Sequence, residues 1–499
     1  MSGLWLTLPV ILPLACASIG YFLRHRPQTI TALCLVSSAL SLLAAILLMQ
    51  QVISAGPQAV AFGSWAAPFG IVFVADLLGA AMALITTLVG LAIVIYGAAD
   101  IWNKPSYGLY QVLFQVLLAG VAGAFLTGDI FNLYVWFEVM LIASFGLMVL
   151  DAEGQQLRGA VRYVVLNLIS TLFFLLAIGL LYGATGTLNL ADLHTKAAAL
   201  PGATAALLTA MFLFAFAIKS ALFPVFAWLP ASYHTLPSGV VALFAALLTK
   251  VGVYALIRLF TLVFPLDQGQ WQPLLITVAG LTMLTGVLGA ACQYSIKRIL
   301  SFHIVSQIGY MLMGLALFTP LALAGAIFYL IHHIIVKANL FLIGGVIQRR
   351  FGTDELADVG GLYRASPGLA LLFLIPAFSL AGFPPLSGFW GKFLVIKASL
   401  QTEQFLLAGT ALAVGLLTLF SMTKIWHEAF WKPAPVSEGE PEALSKRDRR
   451  LYLAPIITLA LMTLVIGTVA EPFYRIAMQS AEQLLDPQAY IQAVLEPQP

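Results

Sequence analysis

Seven side chains able to hold or pass a proton stand where such groups are costly. Glu138, Lys219, Lys250, His332, His333, Lys337 and Lys392 each lie inside an apolar run long enough to cross a bilayer. A charge at the bilayer centre costs about 2.5 to 3.5 kcal/mol on insertion scales, so several in one chain ask for a functional reason. The chemistry these types share is acid–base exchange, which points to a path for protons or cations. His333 and Lys337 are spaced i to i+4 and share one helix face. His332 points about 100° away from that face, which favours His333 as the relay member of the doublet.

Glu138 is the one carboxylate well inside an apolar run, and Lys219 is its natural partner. A cation close by would hold the carboxylate ionised, so the pair could act as a switch or as a static clamp between helices. Lys250 is too deep in its run for snorkelling, whereas Lys397 and Lys424 lie near segment ends and can reach the interface. His303 reads equally as relay or as packing. Lys392 follows a Gly-Pro break and could be the terminal donor. The sequence holds no phosphate loop, no paired Cys or His-Glu metal cluster and no Ser-His-Asp arrangement at a plausible depth, so neither catalytic residues, a metal nor a cofactor is expected. Nothing in it points to nucleic acid.

The elements that must position these groups are membrane helices. With 61% hydrophobic and 9% charged residues and a mean hydropathy of +0.98, the chain reads as a polytopic protein in a lipid bilayer. Fourteen segments of spanning length run over 4–22, 30–50, 70–96, 109–127, 129–149, 161–183, 204–229, 236–258, 272–292, 299–318, 322–348, 367–397, 404–430 and 451–472. The first has no basic region before it, and Arg24 and Arg26 follow it, so it reads as a retained span. Placing the N-terminus outside puts fifteen loop Lys and Arg residues inside and only Lys196, Arg258 and Arg475 outside. Both termini are therefore expected on the non-cytoplasmic side of a prokaryotic cell membrane. Cys16, Cys34 and Cys292 read as small core residues. The tail beyond Glu471 reads as surface-lying, partner-bound or disordered.

Two segments carry breaks. Pro224 follows Lys219 by five residues in the seventh, and Gly382-Phe383-Pro384-Pro385-Leu386-Ser387-Gly388 interrupts the twelfth. Freed carbonyls at membrane depth are tolerated only where protein buries them or a wet cavity takes them up. A matched pair of interruptions five spans apart predicts two inverted five-helix repeats, spans 4–8 and 9–13, with a transport site between them. Plain proline kinks are the alternative. The organisation expected is an N-terminal three-helix segment (1–104), a core (105–430) with repeats over 105–258 and 271–430, and a last part (431–499) made of a cytoplasmic loop, one span and the tail.

Several stretches resemble the proton-conducting antiporter-like subunits shared by multi-subunit Mrp cation/proton antiporters, respiratory complex I and membrane hydrogenases. They are Ala231-Ser232-Tyr233-His234-Thr235-Leu236-Pro237-Ser238-Gly239-Val240 with Leu248-Thr249-Lys250-Val251-Gly252-Val253-Tyr254, then Ser301-Phe302-His303-Ile304-Val305-Ser306-Gln307-Ile308-Gly309-Tyr310, His333-Ile334-Ile335-Val336-Lys337-Ala338 and Phe383-Pro384-Pro385-Leu386-Ser387-Gly388-Phe389. The stretch from Gly128-Asp129-Ile130-Phe131-Asn132 to Trp136-Phe137-Glu138-Val139 is similar to the D-subunit family of the Mrp branch, as are the chain's length and the lysine at 392. The resemblance implies a Glu138–Lys219 pair, Lys250 as connecting lysine, His333 and Lys337 as central relay and Lys392 as terminus. It also implies assembly with other Mrp subunits, proton influx and efflux of Na+ or a similar cation. A proton-pumping membrane arm of an oxidoreductase and a stand-alone solute carrier are the competing readings.

Overall fold

The computed structural model describes residues 2–151, 154–266, 271–434 and 444–496. The helices follow in the order α1 Ser2–Leu23, α2 Pro27–Ala55, α3 Leu77–Asp100, α4 Tyr107–Leu126, α5 Ile130–Val149, α6 Gly154–Thr185, α7 Leu190–Ala198, α8 Gly202–Lys219, α9 Trp228–Ser232, α10 Ser238–Leu243, α11 Thr249–Leu262 and α12 Trp271–Ala291. Then come α13 Ile296–Leu317, α14 Pro320–Phe351, α15 Leu362–Ala365, α16 Pro367–Ala381, α17 Ser387–Gln401, α18 Phe405–Trp426, α19 Lys446–Thr468, α20 Ala470–Leu485 and α21 Gln488–Leu495. Among the described residues, thirteen helical stretches are long and apolar enough to span a membrane, α10 and α11 forming one of them with the π-turn between. The chain is thus an integral membrane protein built of helices. The twelfth segment is interrupted where its Gly-Pro run predicts, forming two short helices, α16 and α17, parted at Gly382–Leu386.

The starts of α3, α5, α13 and α14 are set locally: Asp76, Asp129, Ser295 and Thr319 each accept a hydrogen bond from a backbone N–H of the first turn. The Thr127-Gly128-Asp129 connection between α4 and α5 is as tight as its sequence suggests, because Asp129 caps α5 directly. The interior of the bundle lies around α10–α11, α13 and α14, whose spanning windows are 94% to 100% buried. Such all-round burial explains why these helices are apolar on every face and why their few polar side chains face protein.

Four expectations change. Residues 72–75, placed in the third apolar segment, form strand β2 (Val72–Ala75), which pairs antiparallel with β1 (Gln58–Ala61). Val72–Ala75 is too short and too β-branched to tell from a helix start by hydropathy alone. The tail is neither loose nor spread on a surface: α20 packs against α14, α3 and α11, and α21 against α7 and the two strands. Arg258, assigned to an outer loop, lies buried in α11 and pairs with the equally buried Asp76 at 2.7 Å. Of the cysteines, Cys16 and Cys34 are buried, but Cys292 is exposed.

Candidate ion-translocation site

Helix α8 stops at Lys219 because the backbone turns there: Ala221 takes a left-handed φ of 56°, and helix resumes only at Trp228, beyond Pro224. The Lys219 ammonium lies 3.5 Å from the Asn167 carbonyl of α6 and 5.3 Å from the centre of the Phe137 ring of α5. Glu138, next to Phe137, is an electrostatic neighbour of Lys219. No ion pair joins the two among the described residues, and Glu138 Oε1 is buried with no hydrogen-bond partner there. The carboxylate and the lysine are thus adjacent but apart.

Lys250 is wholly buried and donates to the carbonyl of Ala245. That carbonyl belongs to a π-turn, Phe244–Leu248, inserted between α10 and α11. The wider turn lets a side chain five residues on reach back to it, and such bulges recur at functional sites. Two residues beyond Lys250, Gly252 lets α11 cross the α8 break: a Cβ there would stand 2.6 Å from Ser220 Oγ and 2.9 Å from the Lys219 carbonyl carbon. The two lysines are therefore tied through touching backbone.

The third group sits on α14. Lys337 donates to the Leu300 carbonyl of α13 at 3.0 Å, and both ring nitrogens of His333 are buried without partners among the described residues. His333 feels the charges of Lys250 and Lys337 first and of His332 and Lys392 after them. His332 turns the other way, to Ser387 Oγ at 2.8 Å, at the start of α17. His303 of α13 is also buried with both nitrogens unpartnered among the described residues, within reach of the charge of Lys337.

Lys392 closes the series. The break after α16 leaves its last carbonyls free, and the Lys392 ammonium takes those of Leu380 at 2.9 Å and Ala381 at 3.2 Å, 4.6 Å from the centre of the Tyr310 ring. A helix C-terminus carries partial negative charge, so it is a fitting seat for a cation. Two cavities approach these groups. One of about 660 Å³ is lined by Asp100, Ser238, Lys297, Gly345, Gln348 and Glu355 among others. The other, of about 600 Å³ and walled mostly by apolar side chains of α17 and α18, has Lys392 in its lining.

Residues 127–426 match the family model described as the transmembrane part of NADH:quinone oxidoreductase and the Mrp antiporter. The D subunit of the Na(+)/H(+) antiporter of Alkalihalophilus pseudofirmus is 45% identical over 98% of this chain and 99% of its own length. The chain belongs to this antiporter family, in its D-subunit branch. A structure of the Mrp complex from a Dietzia species contains a chain of the same fold, with TM-score 0.91, 34% identity and 98% and 99% of the two chains covered. The membrane-bound sulfane sulfur reductase, an archaeal respiratory complex, contains another at TM-score 0.89 and 27% identity, covering 98% and 99%.

Several polar groups of this D-type antiporter chain escaped the sequence reading. Tyr329 lies between the histidines and α13: its ring is 5.1 Å from that of His332 and 6.1 Å from that of His333, and its hydroxyl donates to Gln307 Oε1. Gln307 Nε2 in turn donates to Thr418 Oγ1 at 3.3 Å. Ser379 and Ser387 bridge the break with hydroxyls 3.1 Å apart. One signal was available, since Tyr329 precedes His333 by four residues and so shares its face. Gln307 and Thr418 carried none, because their role depends on which helices meet.

Proposed function

We propose that this chain is the proton-translocating subunit of a hetero-oligomeric Mrp-type Na+/H+ antiporter, multi-pass in a bacterial cell membrane, with other Mrp subunits as its partners. The observation that carries the relay is the bonding of its lysines: Lys250, Lys337 and Lys392 rest on backbone carbonyls, not carboxylates. An ammonium so held can give up its proton without leaving a buried anion behind, and can take it back without breaking an ion pair. Protons pass in this reading from the Glu138 and Lys219 region to Lys250, then His333 and Lys337, then His332 and Lys392, with water completing the gaps. The 660 Å³ cavity supports access from one side. Ser238 in its wall precedes Ala245 by seven residues, and Gly345 follows Lys337 by eight, so its floor is about 10 to 12 Å from both lysines. Proton influx along this path drives efflux of Na+ or a similar cation.

The same reading holds fourteen spans, the broken pair α16–α17 counting as the twelfth, in two inverted repeats of spans 4–8 and 9–13, with both termini away from the cytoplasm. The positions of the lysine-bearing breaks after Lys219 and before Lys392 support it. Lys219→Ala or Glu138→Ala should abolish Na+-dependent pH-gradient dissipation in inverted vesicles while the complex still assembles. Undiminished antiport in either variant would remove that pair from the path. The likeness to a respiratory complex chain favours a second reading, a proton-pumping arm of an oxidoreductase. Co-purification with iron–sulfur subunits instead of antiporter subunits would decide for it.

A further inference from the structure

We propose that Cys16 and Cys34 form a dithiol/disulfide site that staples α1 to α2 within the membrane, apart from the proton path. Their sulfurs lie 3.7 Å apart, and both side chains are buried. Cys16 stands seven residues before the end of α1 and Cys34 seven after the start of α2, so the antiparallel pair meets at one level, about 10 Å in from the turn. A disulfide needs the sulfurs about 1.7 Å closer, a distance on the scale of side-chain rotation.

The surroundings suit thiol chemistry. A cysteine sealed among apolar groups is inert because the thiolate is the nucleophile. Here Ser37 lies beside Cys16 and Gln115 beside Cys34. Ser37 Oγ and Gln115 Oε1 are themselves buried without hydrogen-bond partners among the described residues, so the Ser37 hydroxyl can donate to a thiolate and the Gln115 oxygen can accept from a thiol S–H. Gln115 is held in place by its amide, which donates to Ser38 Oγ at 3.2 Å. A polar string, Gln111 to Tyr107 at 2.9 Å and Tyr107 to Thr31 at 2.6 Å, continues along the same α2–α4 seam towards the helix ends.

Burial restricts the oxidant to a small uncharged one, and a peroxide fits. One thiol gives up its proton and its sulfur attacks a peroxide oxygen; the O–O bond breaks, leaving a sulfenic acid and one water. The second sulfur then attacks the first, the S–O bond breaks, and a second water leaves with the remaining proton. Two thiols are oxidised and one hydrogen peroxide is reduced, giving one disulfide and two waters.

Membrane vesicles carrying the intact complex would be treated with hydrogen peroxide, denatured in SDS and blocked with maleimide, then reduced and labelled with an isotopically heavy maleimide. The expected result is heavy label on Cys16 and Cys34 in equal yield, and without reduction a linked peptide pair lighter by two hydrogens. In Cys34→Ser, with dimedone present to trap any sulfenic acid that forms on the lone thiol, the heavy label on Cys16 should be lost. The proposal is overturned if both remain free thiols under conditions that oxidise the exposed Cys292, or if Cys16 is labelled to the same extent when Cys34 is absent.

Discussion

At the level of single side chains, the three carbonyl-held lysines separate two roles that a buried cation can play. If Lys337 acts only as a fixed positive charge on α14, arginine should replace it, since it keeps the charge and the donors to Leu300. If it passes a proton, arginine fails, because a guanidinium is never deprotonated in a protein. Lys337→Arg is expected to lower antiport about 100-fold or more, the lower bound for loss of a positioned acid–base group, with assembly intact; transport rates in inverted vesicles measure this. The histidine doublet divides similarly. His333, whose ring nitrogens are unpartnered among the described residues, should be the transport-sensitive one. His332 holds the start of α17 through Ser387, so His332→Ala should cost about 1 kcal/mol of stability and a smaller share of rate. Thermal denaturation beside transport assays would separate them. Residue type and spacing were enough to place His333 and Lys337 on one face. They could not show that Glu138 and Lys219 stay apart, since that depends on how α5, α6 and α8 pack.

Among the elements, the broken helices depend on close approach as much as on proline. Gly388, in the first turn of α17, lies so near α16 that a Cβ would fall 1.8 Å from the Ser379 carbonyl oxygen and 2.8 Å from His332 Nε2. Gly388→Ala must push the two half-helices apart, at a cost of about 1 to 3 kcal/mol or more. Gly409→Ala on α18 meets nothing within 4 Å and should change stability by less than about 0.5 kcal/mol. Equal melting of the purified complexes carrying these two variants would show that the break tolerates separation. Most of the helices were legible because twenty apolar residues in a row have few other fates: α4, α5, α12 and α13 begin and end within three residues of their predicted bounds. The β1–β2 pair was hidden because its second strand is continuous in hydropathy with α3. The π-turn before Lys250 leaves the hydrophobic pattern unchanged, so only the backbone reveals it.

Across the whole molecule, the chain's end is bound to its beginning around one buried ion pair. Asp76 caps α3 by accepting from Gly79 N at 2.9 Å and pairs with Arg258 of α11, while Tyr490 of α21 lies over the guanidinium, 5.1 Å from ring centre to carbon. Gln483 of α20 adds a bond to Leu77 N at 3.2 Å. Arg258 stands eight residues from Lys250 on the same helix, about 12 Å away, so this joint fixes the helix that carries the connecting lysine. Desolvating both charges offsets most of their attraction, and the pair's value lies in neither partner being left alone. Arg258→Met should therefore destabilise the protein by about 3 to 5 kcal/mol. The double variant Arg258→Met/Asp76→Asn should recover most of that loss, because asparagine still caps α3 without a stranded charge. Removing the tyrosine ring alone, in Tyr490→Ala, should cost about 0.5 to 2 kcal/mol and expose the tail to protease. If the double variant is no more stable than Arg258→Met, the guanidinium's packing against Tyr254 and Tyr490 holds the joint, and the tail, not the charge pair, fixes the position of α11.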